Sequence, residues 1–378
     1  MIHTLDPIRL SADSALARDL PPRARDPAHP GWDRYDRKTL VYGAIHMPER
    51  RMVRVYLPRL FNFVPMVRAA MVTIDGAEAH LRRHRIFRRY EILDFRHSGN
   101  GPRELELTCK PLGGVRIEVH AGDDAPFADR RAVYTILKNE RLEWIRDWLH
   151  FHAAEHGADA VLISDNGSTD YDSETLLDVI RGVPGYAVAQ VLSVPLPWGP
   201  AHRAPGVDDG KLLQTSMLNY CRDRFLRRAQ AVLNVDVDEL VMRHRGGSVF
   251  DAVSPWGYAT FPGQWRYAPN PGPGLRHRDH VLYDPVEAPC PTKYVYKPAS
   301  WLGRRSLSVH SLEHVNRKLF SVGSRFCFLH CRGISTSWKA NRLDWETARL
   351  LESTGTVSVL HRAFSSCPRL PSDGSTRS

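Results

Sequence analysis

The 378-residue sequence has no Cys-x-x-Cys pair, no glycine-rich phosphate loop, no long apolar run and little lysine. Its six cysteines (109, 221, 290, 327, 331 and 367) are scattered, and Cys327 and Cys331 have no second pair to complete a zinc site, so they read as reduced structural thiols. No apolar stretch approaches the roughly 18 to 20 residues of a membrane span. The start, MIHTLDPIRLSADSALARDL, lacks the uninterrupted apolar core of a signal peptide. A cytoplasmic location is expected, with the inner face of an anionic membrane as a peripheral contact. Lysine supplies only 8 of the 52 cationic side chains, leaving 44 arginines, and the net charge of +10 points to an anionic partner. Nucleic acid, anionic lipid and a phosphorylated small molecule all satisfy that charge. With 42% hydrophobic and 25% charged residues, disorder and fibre are excluded.

Four regions follow from the pattern. Residues 1–38 carry five prolines and no sustained period, which predicts an extended arm with little core. Residues 39–128 hold short apolar pieces between Gly, Pro and Asn turns, which predicts a small, mainly β domain. Within it, HLRRHRIFRRYEILDFRH concentrates cations and reads as a solvated face, or as a surface for anionic head groups. From 129 to 362 strands and helices alternate: AVYTIL, a helix bearing Leu142, Ile145 and Leu149, AVLIS, a helix opened by Ser173, a strand over 186–191, a long helix over 211–228, and AVLNV. Such alternation predicts an α/β fold, a mostly parallel sheet with helices on both faces and ligands at the carboxyl ends of its strands. Residues 363–378 are expected to form a flexible tail.

The polar residues gather at those strand ends. Lys138-Asn139-Glu140 follows the first strand, Asp165-Asn166-Gly167-Ser168-Thr169-Asp170 the second, and Asp236-Val237-Asp238-Glu239 the last. A dinucleotide fold would place GxGxxG where Asn139 and Glu140 stand. Carboxylates facing a phosphorylated ligand repel it unless a divalent cation lies between, so Mn²⁺ or Mg²⁺ is expected. Alternation points Asp236 and Asp238 to one side, which suits two ligands of one ion. The second Asp-x-Asp, at Asp170 and Asp172, is explained by capping the next helix.

Taken together, TILKNE, EWIRDWLHFHAAEHGAD, VLISDNGSTD, a glutamine-bearing helix and LNVDVDEL resemble the family 2-like glycosyltransferases of GT-A fold. The likeness covers residues 131–245 closely and WLGRRSLSVHSL and FLHCRGISTSWKANR more loosely. Leu240 departs from the family's usual aromatic at that position. The resemblance implies nucleotide-sugar binding by Asn139, Glu140, Asp165 and Asn166, and metal binding by Asp236 and Asp238, which also carry catalysis. It implies sugar transfer, usually from a uridine diphosphate sugar, to a hydroxyl of a glycan or lipid-linked acceptor, with inversion. A late histidine often joins the metal or diphosphate in such enzymes, which nominates His330 and His310. Around His330, Arg332, Ser335, Thr336, Lys339 and Arg342 form a cationic, hydroxyl-rich segment apt for a diphosphate. Lys293 is a candidate for the donor phosphates or a solvated edge strand. Glu239, Asp279, Asp284, Glu287 and Glu313 are candidates for the base that deprotonates the acceptor. Trp198, Trp256, Trp265 and Tyr267 in proline- and glycine-rich loops suit sugar stacking or plain packing. The alternatives are a non-catalytic protein binding nucleic acid or an anionic surface, and a nucleotidyltransferase of similar fold.

Overall fold

The computed structural model describes residues 1–22, 24, 26–199, 211–253, 255–272, 274–334, 345, 347 and 349–365. Ser335, Thr336, Lys339, Arg342 and the tail beyond residue 365 lie outside them. The main sheet has nine strands in the order Ile2–Thr4, Val188–Ser193, Ala160–Asp165, Arg131–Leu137, Ala231–Asn234, Cys290–Tyr296, Tyr258–Arg266, Phe326–Cys331 and Glu239–Arg243. The first five are parallel: four are the strands that the alternation predicts, and Ile2–Thr4 comes from the stretch expected to be an arm. The other half is mixed, since Cys290–Tyr296 runs antiparallel to both its neighbours and Glu239–Arg243 antiparallel to Phe326–Cys331. Mixed rather than mostly parallel is therefore the correct description, because the chain after Asn234 returns through loops and not through crossover helices.

Side-chain alternation along the parallel strands feeds two cores. Val133, Val161, Ile163 and Leu233 face the helices Leu142–His156, Ser173–Arg181 and Thr354–Phe364. Tyr134, Leu162, Leu192 and Val232 face the helix Leu212–Cys221 and its continuation Arg222–Leu226. Local chemistry sets the ends: Gly157 stops the first helix at φ 66°, a left-handed conformation that glycine adopts freely, and the Asp172 carboxylate accepts from Thr175 N at 2.8 Å to open the second. Ala363 and Phe364 are buried at the end of the last helix, so that helix reaches into the stretch expected to be tail. No helix among the described residues is long and apolar enough to cross a membrane.

A second sheet of eight strands, from Gly43–Met47 to Gly113–His120, covers the far side of the Leu212–Cys221 helix. One face contributes Ile45, Met52, Tyr56, Tyr90 and Ile92 to the shared core, and the other packs Val53, Val55, Leu93, Phe95 and Leu105 into its own. The junction is ionic as well as apolar. Arg54 bonds Asp94 at 2.7 Å and Asp223 at 2.6 Å, Arg222 bonds Asp223 at 2.8 Å, and Tyr56 Oη donates to Asp223 at 2.6 Å. Arg222 and Arg54 hold the Asp223 carboxyl far below the usual range against its burial. The basic stretch over 80–97 is thus only partly a solvated face. Its outer strand Leu81–Ile86 is mostly exposed, whereas Tyr90–Arg96 is buried except at its end, with Glu91 paired to His84 at 2.7 Å and Arg85 to Asp94 at 2.9 Å.

The first 38 residues are more ordered than an arm. Ile2–Thr4 adds a parallel edge strand beside Val188–Ser193, and Leu5, Arg18, Trp32 and Tyr35 are buried. Arg18 donates to the Arg59 carbonyl at 3.0 Å, an anchor that no local periodicity announces.

Candidate active site

Asn139, Asp165 and Asp236 follow three adjacent parallel strands, so their loops share one edge of the sheet. The loops after the first two strands are tied together. Asn139, at φ 53°, accepts from Thr169 N through Oδ1 at 2.7 Å, and its own N–H donates to Ser168 Oγ at 2.8 Å. Asp165 accepts from Ser168 Oγ at 2.5 Å; burial raises its pKa, opposed by the Ser168 hydrogen bonds. Glu140 is half-buried beside them. Asn166 departs from its expected role: it is buried, and its amide donates to the carbonyls of Val194 and Leu196 at 2.8 Å each. That side chain braces the loop after the third parallel strand instead of presenting its amide N–H groups to a ligand.

The acidic turn is organised by a buried lysine. Lys293, on the first antiparallel strand, has no exposed side-chain surface and places Nζ 2.7 Å from Asp236 Oδ2 and 2.9 Å from Glu239 Oε2. It is neither a solvated edge residue nor, with both carboxylates already bound, a free phosphate ligand. Asp236 and Glu239 keep its ammonium protonated despite burial. Glu239 also accepts from Asp236 N at 2.9 Å, and Gln214 donates to Asp236 Oδ1 at 3.2 Å. Only 2% of the Glu239 side chain is exposed, which removes it as a base for an acceptor hydroxyl and makes it a partner of Lys293. Asp236 keeps 37% of its side chain exposed.

Asp238 meets His330, whose Nε2 lies 2.9 Å from Asp238 Oδ2. The His330 ring stacks on Trp265 with centroids 4.0 Å apart and planes 19° apart, and the Arg332 guanidinium lies 5.9 Å from the Trp265 ring. His310 lies near Lys293 and Asp236 and not in the Asp238 group, beside Lys211 and hydrogen-bonded to Thr292 O at 3.2 Å. Burial, then Lys293 and Lys211, push its pKa down to about 3.

The donor set answers the metal question unevenly. Asp238, Glu239 and His330 bring their ligating atoms within 4.8 Å of one another, and a mixed carboxylate and imidazole set suits Mn²⁺. Both oxygens of Asp236 already accept hydrogen bonds, one of them from the ammonium of Lys293. The residues therefore fit a cation at Asp238 and His330. Neither Asp236 nor His310 is in that group among the described residues, although a carboxylate oxygen that accepts one hydrogen bond keeps a second lone pair for an ion.

Sequence reasoning missed the brace beneath this turn. His277, fully buried, donates from Nε2 to the Val237 carbonyl at 2.8 Å, and its Nδ1 lies 3.7 Å from Asp147 Oδ2. Arg276 binds the same carboxylate at 2.8 Å. His277 beside it and Arg276 bound to it hold the Asp147 pKa down to about 2 against its burial. A helix acid and a loop histidine 130 residues apart give no local signal, although Asp147 on the inward face of an amphipathic helix could have been flagged.

An open groove of about 390 Å³ adjoins Arg332, lined by Tyr267, Asp284, Glu287, Trp345 and Arg349. Tyr267 Oη donates to Glu287 at 2.6 Å, and Arg349 pairs with Asp284 at 3.3 Å. Asp279 instead accepts from Arg276 N and closes a short turn.

No family model and no curated protein matches the chain. Among solved structures it is similar to the apo form of WbbM, a bifunctional glycosyltransferase, at a TM-score of 0.26 and 11% identity, over 40% of this chain and 27% of that one. The chain thus spans about a quarter of that protein's length.

Proposed function

We propose that this chain is a metal-dependent glycosyltransferase of GT-A arrangement, transferring a sugar from a nucleoside diphosphate, most simply uridine diphosphate, to a hydroxyl of a glycan or lipid-linked acceptor with inversion. One observation carries the reading: the Asp236–Glu239 turn, with Lys293 and His330, stands at the same sheet edge as the Asn139 and Asp165 loops. In this reading Asp165 and the Asn139–Glu140 loop meet the nucleoside, and Asp238 and His330 would hold Mn²⁺ or Mg²⁺. That ion would neutralise charge on the departing diphosphate.

In this reading the acceptor hydroxyl attacks the anomeric carbon as the bond from that carbon to the diphosphate oxygen breaks, and the hydroxyl proton passes to a carboxylate. Glu287, 25% exposed in the groove beside Arg332, is the acid more open to an acceptor; Asp284 is 9% exposed and paired with Arg349, and Glu239 is buried. Trp265 fixes the imidazole of His330, and the Arg332 guanidinium is near enough to attract phosphate. Lys293 keeps Asp236 and Glu239 together, so the turn is set before any ligand arrives. A nucleotidyltransferase is disfavoured because Lys138-Asn139-Glu140 stands where such enzymes carry a glycine-rich loop. A screen of nucleotide sugars, reading released nucleoside diphosphate, tests the proposal. Turnover or hydrolysis of one donor class is expected, and none with any donor would refute it.

A further inference from the structure

At the opposite end of the main sheet three loops meet around the start of the Tyr258–Arg266 strand. Residues 255–257 lead into it, 297–305 follow the Cys290–Tyr296 strand, and 317–320 pack against it. Lys297 N donates to Gly257 O at 2.9 Å, Thr260 Oγ1 to Arg317 O at 2.9 Å, and Phe320 meets Tyr258 at 5.5 Å between centroids. A Cβ on Gly257 would collide with Ser300, so the first two loops are in direct contact.

This end exposes what a folded chain ordinarily buries. Trp256 is 67% exposed, Trp301 71% and Leu319 77%. Isolated exposed apolar residues are ordinary, but two tryptophans and a leucine on adjoining loops are not. Every charged residue on the three loops is a cation: Lys297, Arg304, Arg305, Arg317 and Lys318, all exposed, with no Asp or Glu among them. The Arg305 guanidinium lies 4.4 Å from the Trp301 ring, joining the apolar and basic parts of the surface. By contrast, the basic stretch over 80–97 spends Arg85 and His84 on buried carboxylates.

We infer that this end of the molecule docks on an anionic lipid bilayer, with Trp256, Trp301 and Leu319 entering the head-group region and the five cations drawn to lipid phosphates. Tryptophan favours the membrane interface, and clustered Lys and Arg are attracted to an anionic leaflet. Exposed tryptophans on adjoining loops suit a bilayer interface, whereas single-stranded nucleic acid is tracked along a basic groove. Because Cys290–Tyr296 runs antiparallel to Ala231–Asn234, the loop after it leaves the sheet at the end away from Asp236. A docked molecule therefore turns its acidic turn toward solution, which within the catalytic proposal suits a soluble glycan acceptor and not a lipid-linked one.

The test is co-sedimentation of the full chain with vesicles of phosphatidylcholine alone or with 30 mol% phosphatidylglycerol, a composition chosen for the assay. The wild type is expected to pellet with the anionic vesicles and not the neutral ones. Arg304→Glu with Arg305→Glu should weaken partitioning at least ~10-fold, and Trp256→Ala with Trp301→Ala should weaken it several-fold even when salt screens the charges. All four side chains are exposed, and unchanged urea unfolding confirms folding. No partitioning, equal binding to neutral vesicles, or partitioning unchanged in the folded variants would overturn the inference. Equal, variant-sensitive binding to single-stranded DNA would overturn it in favour of nucleic acid.

Discussion

Replacing Lys293 by methionine tests the architecture of the acidic turn. The two side chains are of similar length, so the perturbation is chiefly the loss of an ammonium that touches Asp236 at 2.7 Å and Glu239 at 2.9 Å. The two carboxylates respond differently. Asp236, with 37% of its side chain exposed, recovers hydration, whereas Glu239, at 2% and with its pKa already pushed up to about 7 by burial, loses the ammonium that favours its charged form and takes up a proton. Stranding a buried charge costs about 3–5 kcal/mol, and because Glu239 can take up a proton the loss here is about 2 kcal/mol at pH 8 and smaller at pH 5. Urea unfolding followed by tryptophan fluorescence reads the loss. Adding Glu239→Gln to Lys293→Met removes the carboxyl that must take up a proton and should restore more than half of the loss at pH 8. At pH 8, a single variant within about 1 kcal/mol of wild type, or a double variant no more stable than the single, would refute the claim that Lys293 neutralises the turn.

Three further outcomes follow from the geometry. Asp147 contributes stability through a pKa lowered from 3.8 to about 2; a depressed carboxyl stabilises above its unfolded pKa and loses that contribution as pH falls through the folded one. Wild type should exceed Asp147→Asn by about 2 kcal/mol from this source at pH 5, with nearly half gone by about pH 3, and a pH-independent difference would count against it. Asp223→Ala removes the acid shared by Arg54 and Arg222, leaving Arg54 on Asp94 and Arg222 on backbone carbonyls, and should cost about 3 kcal/mol in urea unfolding; a loss below about 1 kcal/mol would show that the apolar contacts alone hold the junction. His277→Phe removes the donor to the Val237 carbonyl and should lower kcat of any donor turnover at least ~10-fold while unfolding remains two-state, because the turn then lacks its brace.

The parallel half of the fold is legible in the sequence because its signals are local. The helix expected from Leu142 runs from Leu142 to His156, and the strand expected over 132–137 spans Arg131–Leu137. Asp172 caps its helix as its spacing predicts. The antiparallel half is not legible, since Cys290–Tyr296 and Phe326–Cys331 take their places from partners far away in the chain. The site divides the same way. The convergence of the Asn139, Asp165 and Asp236 loops follows from strand alternation. Lys293 between two carboxylates and His277 beneath Val237 are tertiary contacts with no short-range pattern. Asn166 shows the opposite error, a residue type apt for ligands that the fold spends on two carbonyls.

The most direct test of the central claim is the melting temperature with Mn²⁺ and uridine diphosphate together, for wild type, Asp238→Ala and His330→Ala. The account predicts a rise of several degrees for wild type that needs both ligands, and none for either variant. A wild type unmoved by the pair, or a full rise in both variants, would contradict it.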